Sequence, residues 1–76
     1  MLIQVLGTGC AKCKELEKLV REAVAEKGSD ASVEKVTDIQ KIAMMGVFTT
    51  PAVVIDGVIK SVGSIPPKAD ILSWIA

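Results

Sequence analysis

Leu2-Ile3-Gln4-Val5-Leu6, ended by Gly7, constrains this chain more than any other stretch. A short run so nearly continuous in apolar residues fits a central strand buried on both faces, which needs cover on each side of its sheet. The next segment supplies one cover. From about Ala11 to Lys27 the pattern is helical, with Leu16, Leu19, Val20, Ala23 and Val24 at i, i+3, i+4, i+7 and i+8 forming one apolar stripe. Glu17 and Arg21 lie four apart on the opposite face, in the favourable order. Gly28 stands where a C′ glycine stops a helix.

Ala31 to Val36 reads as a second strand, and Glu34 and Lys35 within it suit a sheet edge, where charge discourages pairing with other chains. Thr37-Asp38-Ile39-Gln40 reads as a capping box that opens a short helix. Ile39, Ile42 and Ala43 form the expected buried face of that helix, and Gly46 closes it. Ala52 to Ile55 and Val58 to Val62 are two strands joined by Asp56-Gly57, a strong hairpin signal. Pro67 at an N1 position opens a last helix through Ile75, with Ile71, Leu72 and Ile75 inward and Trp74 over an edge of the core. The expected order is β-α-β-α-β-β-α in an α/β fold. A crossover helix makes the first two strands parallel, and the hairpin adds an antiparallel pair. The result is a four-stranded mixed sheet with helices on both faces. With 76 residues there is no length for a second core, so residues 1–76 are expected to form one domain.

Charge and cysteine usage exclude several functions. Nine Lys+Arg balance nine Asp+Glu, so no basic field exists to hold nucleic acid or an anionic membrane. The longest uncharged stretch, Ile42 to Ile55, is interrupted by Gly46, Thr49, Thr50 and Pro51 and spans no bilayer. Met1 runs into apolar residues with no basic region before them, so no secretory signal is read and the cytoplasm is the expected compartment. Two cysteines and no histidine cannot supply the four ligands of a closed zinc site. A bridge between Cys10 and Cys13 would close too small a loop to stabilise much, and cytosolic proteins seldom carry purely structural disulfides. The C-x-x-C pair points instead to redox or metal chemistry.

Cys10 stands just ahead of the long helix. Unpaired N–H groups and the positive end of the macrodipole favour its thiolate, and Lys12 and Lys14 add positive charge. Such settings bring a cysteine pKa into roughly the 3.5–7.5 range. Cys13, one turn further in, reaches back to Cys10 but is less open to solvent. Cys10 is therefore the expected nucleophile and Cys13 the resolving thiol, with Lys12 tuning the first. A second feature, Thr49-Thr50-Pro51, precedes a core strand. By itself it reads as a trans proline at a strand start.

Gly9-Cys10-Ala11-Lys12-Cys13 after the first strand, Thr50-Pro51 before the third, Asp56-Gly57 in the hairpin and Val62-Gly63 before the last helix together resemble the thioredoxin-like family, in its smallest glutaredoxin-sized form. Their order and spacing cover essentially the whole chain. The start Gly7-Thr8-Gly9-Cys10 is similar to that of compact archaeal and bacterial thioredoxin-like redox proteins. The resemblance implies that Pro51 is cis and lies against the two sulfurs. It implies that the Thr50 backbone pairs with an extended substrate segment, and that Val47, Phe48, Met44 and Met45 form an apolar rim, with Gly63 completing the substrate surface. For Val47 a place in the core is equally open. The implied partners are disulfide-containing proteins and a thioredoxin-reductase-type electron donor, with the chain a monomer and no bound cofactor.

Several positions depart from the family pattern. Gly9 replaces the tryptophan usual before the nucleophile, and Ala11-Lys12 replaces Gly-Pro inside the motif. Gln4 occupies the first-strand position where thioredoxins carry a buried acid. Val62-Gly63-Ser64-Ile65-Pro66-Pro67 lacks the acidic pair with which glutaredoxins hold glutathione. Two other readings stand beside the oxidoreductase: a soft-metal carrier of the Cu(I) type, and a glutaredoxin-like protein sharing an iron–sulfur cluster between two chains. The metal carriers have a β-α-β-β-α-β order, which the helix signal at Thr37 to Gly46 and the terminal helix contradict.

Overall fold

Leu2–Leu6 form β1, an interior strand flanked by β2 (Ser32–Val36) and β3 (Ala52–Ile55), with β4 (Val58–Val62) at the far edge of the four-stranded sheet. The computed structural model describes residues 1–9 and 11–75, leaving Cys10 and Ala76 outside the described residues. Three helices complete the order: α1 (Ala11–Lys27) between β1 and β2, α2 (Ile39–Met44) between β2 and β3, and α3 (Lys68–Trp74) after β4. β1 pairs with β2 in parallel and with β3 antiparallel, and β3 pairs with β4 antiparallel. The sheet is therefore mixed, as the sequence implies.

Alternation along the interior strands sends side chains to two cores. Ile3, Val5, Val53 and Ile55 face α1 and α3, where Leu16, Val20, Ala23, Ile71 and Ile75 bury against them. Leu6, Val36, Ala52 and Val54 face the other way and meet Ile42 of α2 together with Val47. Leu19, Val24, Leu72 and Trp74 are partly buried at the margins of the first core. The charged residues Glu34 and Lys35 lie exposed on the edge strand β2. The Asp56-Gly57 turn has positive φ at both residues, 49° and 84°, as a type I′ hairpin requires. Its Asp56 carboxylate accepts a 2.8 Å hydrogen bond from the Leu2 N–H, joining the turn to the start of β1.

Surface ion pairs follow the helix pattern. Arg21 meets Glu17 at 3.1 Å, four residues apart on α1. Lys68 at the start of α3 pairs with Glu26 and, at 3.8 Å, with Glu22, both on α1. The hydrogen bond to Glu26 is the main cause that holds the Lys68 ammonium above its usual pKa. A raised cationic pKa means this tie between helices acts below the ordinary lysine range and weakens only as pH rises through the folded value.

Two helix starts differ from the sequence expectation by one residue. The N-cap of α2 is Asp38, whose carboxylate accepts from the Gln40 N–H at 2.9 Å, and not Thr37. An aspartate caps as well as a hydroxyl residue, and here it sits one residue nearer the helix. Asp38→Ala is expected to cost about 0.5–2 kcal/mol in urea unfolding, whereas Thr37→Ala should stay within about 0.5 kcal/mol. Pro67 is the N-cap of α3, with φ −59° and ψ 147°, not its first helical residue. Its carbonyl accepts from the Asp70 N–H at 3.0 Å while its own backbone remains extended.

The buried face of α2 is also narrower than expected. Ile42 is buried, but Ile39 and Ala43 are exposed. A helix of six residues aims little more than one side chain directly at the sheet, and Val47 and Met45 complete that core from the segment that follows.

Candidate active site

Three segments meet at one end of the sheet. Leu6, the last residue of β1, is paired with Val36 on one side and Ala52 on the other. The loop Gly7-Thr8-Gly9 toward Cys10, the Thr37 connection toward α2, and Pro51 at the entry to β3 are thus neighbours. Gly7 extends the β1–β2 ladder by one bond, its N–H donating to the Val36 carbonyl at 2.9 Å.

Cys13 is the third residue of α1 and only 2% exposed, and its sulfur is not a free thiol. It continues inward the line of Leu16, Val20 and Ala23, so α1 cannot dock on the sheet without carrying Cys13 with it. The first turn of α1 contains no acidic residue, and Lys12 and Lys14 project there into solvent. Unpaired N–H groups at such a helix start favour an anion. Cys10, the expected nucleophile, lies outside the described residues.

The Thr50–Pro51 peptide bond is cis, and Pro51 is fully buried. The Pro51 carbonyl accepts a 2.9 Å hydrogen bond from the N–H of Gly63. Gly63 has φ 78°, and a Cβ there would come within 3.0 Å of Thr49 Cγ2. Gly63 therefore ties the Thr49–Pro51 loop to the end of β4.

A groove of about 260 Å³ opens beside this loop, lined by Thr8, Thr50, Val47 and Phe48 together with Ile39, Ile42 and Ala43. The groove thus brings Thr50, Val47 and Phe48 together, and Thr8 from the loop after β1 joins them. Phe48 is 85% exposed and Ile39 68%, so the rim is apolar and open. Val47 is buried and belongs first to the core under α2, reaching the groove only as part of its floor. Met44 and Met45 do not line the groove. Met44 is exposed elsewhere, and Met45 packs partly against the core. Sequence reasoning did not place Thr8, Ile39, Ile42 or Ala43 at this groove. The available signal was an apolar stripe on α2 too wide for so short a helix to bury.

Gln4 is half-buried, and its amide nitrogen donates to Glu34 Oε1 across the β1–β2 pair at 3.1 Å. The first-strand position of the family acid is therefore held by an amide tied to a carboxylate on the neighbouring strand. Among the described residues, no group of three or more His, Cys, Asp and Glu side chains could hold a metal ion. No helix among them is long and apolar enough to cross a membrane.

Comparison with known proteins identifies the family. The thioredoxin domain family matches residues 1–76. A protein named thioredoxin from Methanothermobacter thermautotrophicus is 44% identical over 71 residues, covering 93% of this chain and 92% of its own. Another of that name from Methanocaldococcus jannaschii is 45% identical over 71 residues, covering 93% of this chain and 81% of its own. With residues 1–76 matched by the family and two relatives of that name 44% and 45% identical over 93% of the chain, the chain belongs to the thioredoxin domain family.

Proposed function

We propose that this protein is a thiol–disulfide oxidoreductase that reduces disulfides in other proteins through Cys10 and Cys13. The Cys10 thiolate attacks one substrate sulfur, forming a mixed disulfide and expelling the other substrate sulfur as a thiolate. The Cys13 thiolate then attacks Cys10, expelling the second substrate thiolate and leaving Cys10 and Cys13 joined. Two electrons from a thioredoxin-reductase-type donor restore the dithiol. Lys12 and the start of α1 favour the Cys10 thiolate, and no bound cofactor takes part. The protein acts as a single-domain monomer in the cytoplasm, where reductases keep most thiols reduced.

The observation that carries this reading is the register at the end of β1. It brings the Gly7-Thr8-Gly9 loop beside the entry of β3, so that Thr8 and Thr50 line one groove. In the reading, Pro51 lies against the sulfurs and the Thr50 backbone binds an extended substrate segment, whose apolar side chains rest on Phe48 and Val47. The relatives named thioredoxin support the same activity. A Cu(I) carrier is disfavoured by the order of elements, since α2 follows β2 and the chain closes on α3.

Insulin reduction tests the proposal, run in parallel with NADPH and thioredoxin reductase and with glutathione and glutathione reductase. Turnover is expected with the first system, and none with either would overturn the assignment. Phe48→Ser should raise the KM for a protein disulfide about tenfold, the effect of losing one well-used apolar contact. Reaction of the variant with a small disulfide should be unchanged, because nothing there reaches the rim.

A further inference from the structure

Gly7 differs in kind from the other glycines of the chain. Gly9, Gly28, Gly46, Gly57 and Gly63 all have positive φ, which explains glycine at those positions through the backbone alone. Gly7 does not, and it is buried. What requires glycine there is space. A Cβ on Gly7 would lie 2.8 Å from Cys13 Cβ and nearer still to Cys13 Sγ. Neither side has freedom to retreat. The Gly7 backbone is tied to β2 through its bond to the Val36 carbonyl, and the helix that carries Cys13 is fixed by Leu16, Val20 and Ala23 in the core.

We propose that Gly7 is the positioning residue for Cys13, its bare backbone forming the seat on which the sulfur rests and so fixing how that sulfur approaches Cys10. The inference rests on the oxidoreductase reading above. In that cycle the second step forms the Cys10–Cys13 bond and breaks the bond between Cys10 and the substrate, whose sulfur departs as a thiolate and takes a proton from solvent. A side chain at position 7 displaces the attacking sulfur from this line. It leaves the first step untouched, since that step uses Cys10 alone. Displacement of a reacting atom by a fraction of an ångström to one ångström costs up to about a hundredfold in rate.

Single-turnover reduction of a labelled protein disulfide by Gly7→Ala separates the steps. The expected result is mixed-disulfide formation at the wild-type rate and resolution slowed about tenfold or more, so that the adduct accumulates with both cysteines present. The equilibrium of the variant with glutathione should shift as well, because closing the C-x-x-C disulfide is the reaction affected. Val24→Ala, a mild truncation further along α1, should change stability without changing either step.

A second comparison covers the case in which Gly7→Ala folds poorly. Removing the Cys13 side chain removes the collision, so Gly7→Ala should be strongly destabilising beside Cys13 and nearly neutral in a Cys13→Gly background. Normal resolution by a folded Gly7→Ala would overturn the inference. Equal destabilisation in the two backgrounds would do the same. An inactive wild-type protein overturns the oxidoreductase reading itself, whereas an active wild type with normally resolving Gly7→Ala removes only the role of Gly7.

Discussion

Cys13→Ser will accumulate stable, dithiothreitol-sensitive adducts with disulfide-containing proteins, and Cys10→Ser will accumulate few. The asymmetry follows from where the two residues stand. Cys10 precedes α1, whose first turn offers unpaired N–H groups and two lysines but no carboxylate, so it is the sulfur expected to be a thiolate near neutral pH. Cys13 is buried against the end of β1, so it is expected to meet a substrate only after Cys10 has captured it. Without Cys13 nothing displaces the captured protein, and the adduct persists until external thiol is added. Non-reducing electrophoresis of the two variants mixed with oxidised substrate reads the result. Both should lose multiple-turnover reduction. Equal trapping by both, or by neither, would remove the assignment of roles.

The same pair of variants separates the competing chemistries. A monothiol route of the glutaredoxin kind would leave Cys13→Ser active on glutathione adducts. A Cu(I) carrier would lose metal with either substitution and trap no protein with either. A shared iron–sulfur cluster would show visible absorbance in anaerobically purified protein.

Leu16→Ala should lower stability by about 2–5 kcal/mol, the cost of a fully buried leucine truncated in a core that cannot collapse around the gap. Leu16 is entirely buried between α1 and the sheet, among Ile3, Val5, Val53 and Ile71. At roughly 0.05–0.15 kcal/mol per residue, a chain of this length has a total stability of only about 4–11 kcal/mol. The loss is thus a large fraction of the whole, and the urea midpoint should fall steeply. Half-buried Leu19 on the same stripe should cost about 1 kcal/mol when truncated, near the centre of ordinary substitutions. Because α1 also carries Cys13, alkylation of reduced Leu16→Ala should reach Cys13 faster than in the wild type. A change below about 1 kcal/mol for Leu16→Ala would show that α1 is not held by this contact.

Much of the fold is determined by short-range pattern. β1 and α1 begin and end where hydrophobic period and glycine punctuation place them, because a buried strand and an amphipathic helix each declare themselves within a few residues. Asp56-Gly57 specifies its own hairpin, since both residues tolerate positive φ. The charges of β2 put it at an edge, and the C-x-x-C pair directs attention to one end of the sheet. What the tertiary structure alone decided lies between segments distant in sequence. Val47 and Met45 join Leu6, Val36, Ala52 and Val54 in the core on one face of the sheet, while Ile39 and Ala43 stay exposed. The groove exists because the β1–β3 register sets Thr8 beside Thr50, which no local periodicity encodes. Gly63 meets the Pro51 carbonyl through the β3–β4 register, which sets Ala52 beside Val62. Gly7 reads in the sequence as one more loop glycine. Its need for an absent side chain appears only when α1, pinned by its own core residues, brings Cys13 against the backbone of β1's end. Distances of this kind are set by the packing of whole elements on one another, and a residue's immediate neighbours in the chain carry no record of them.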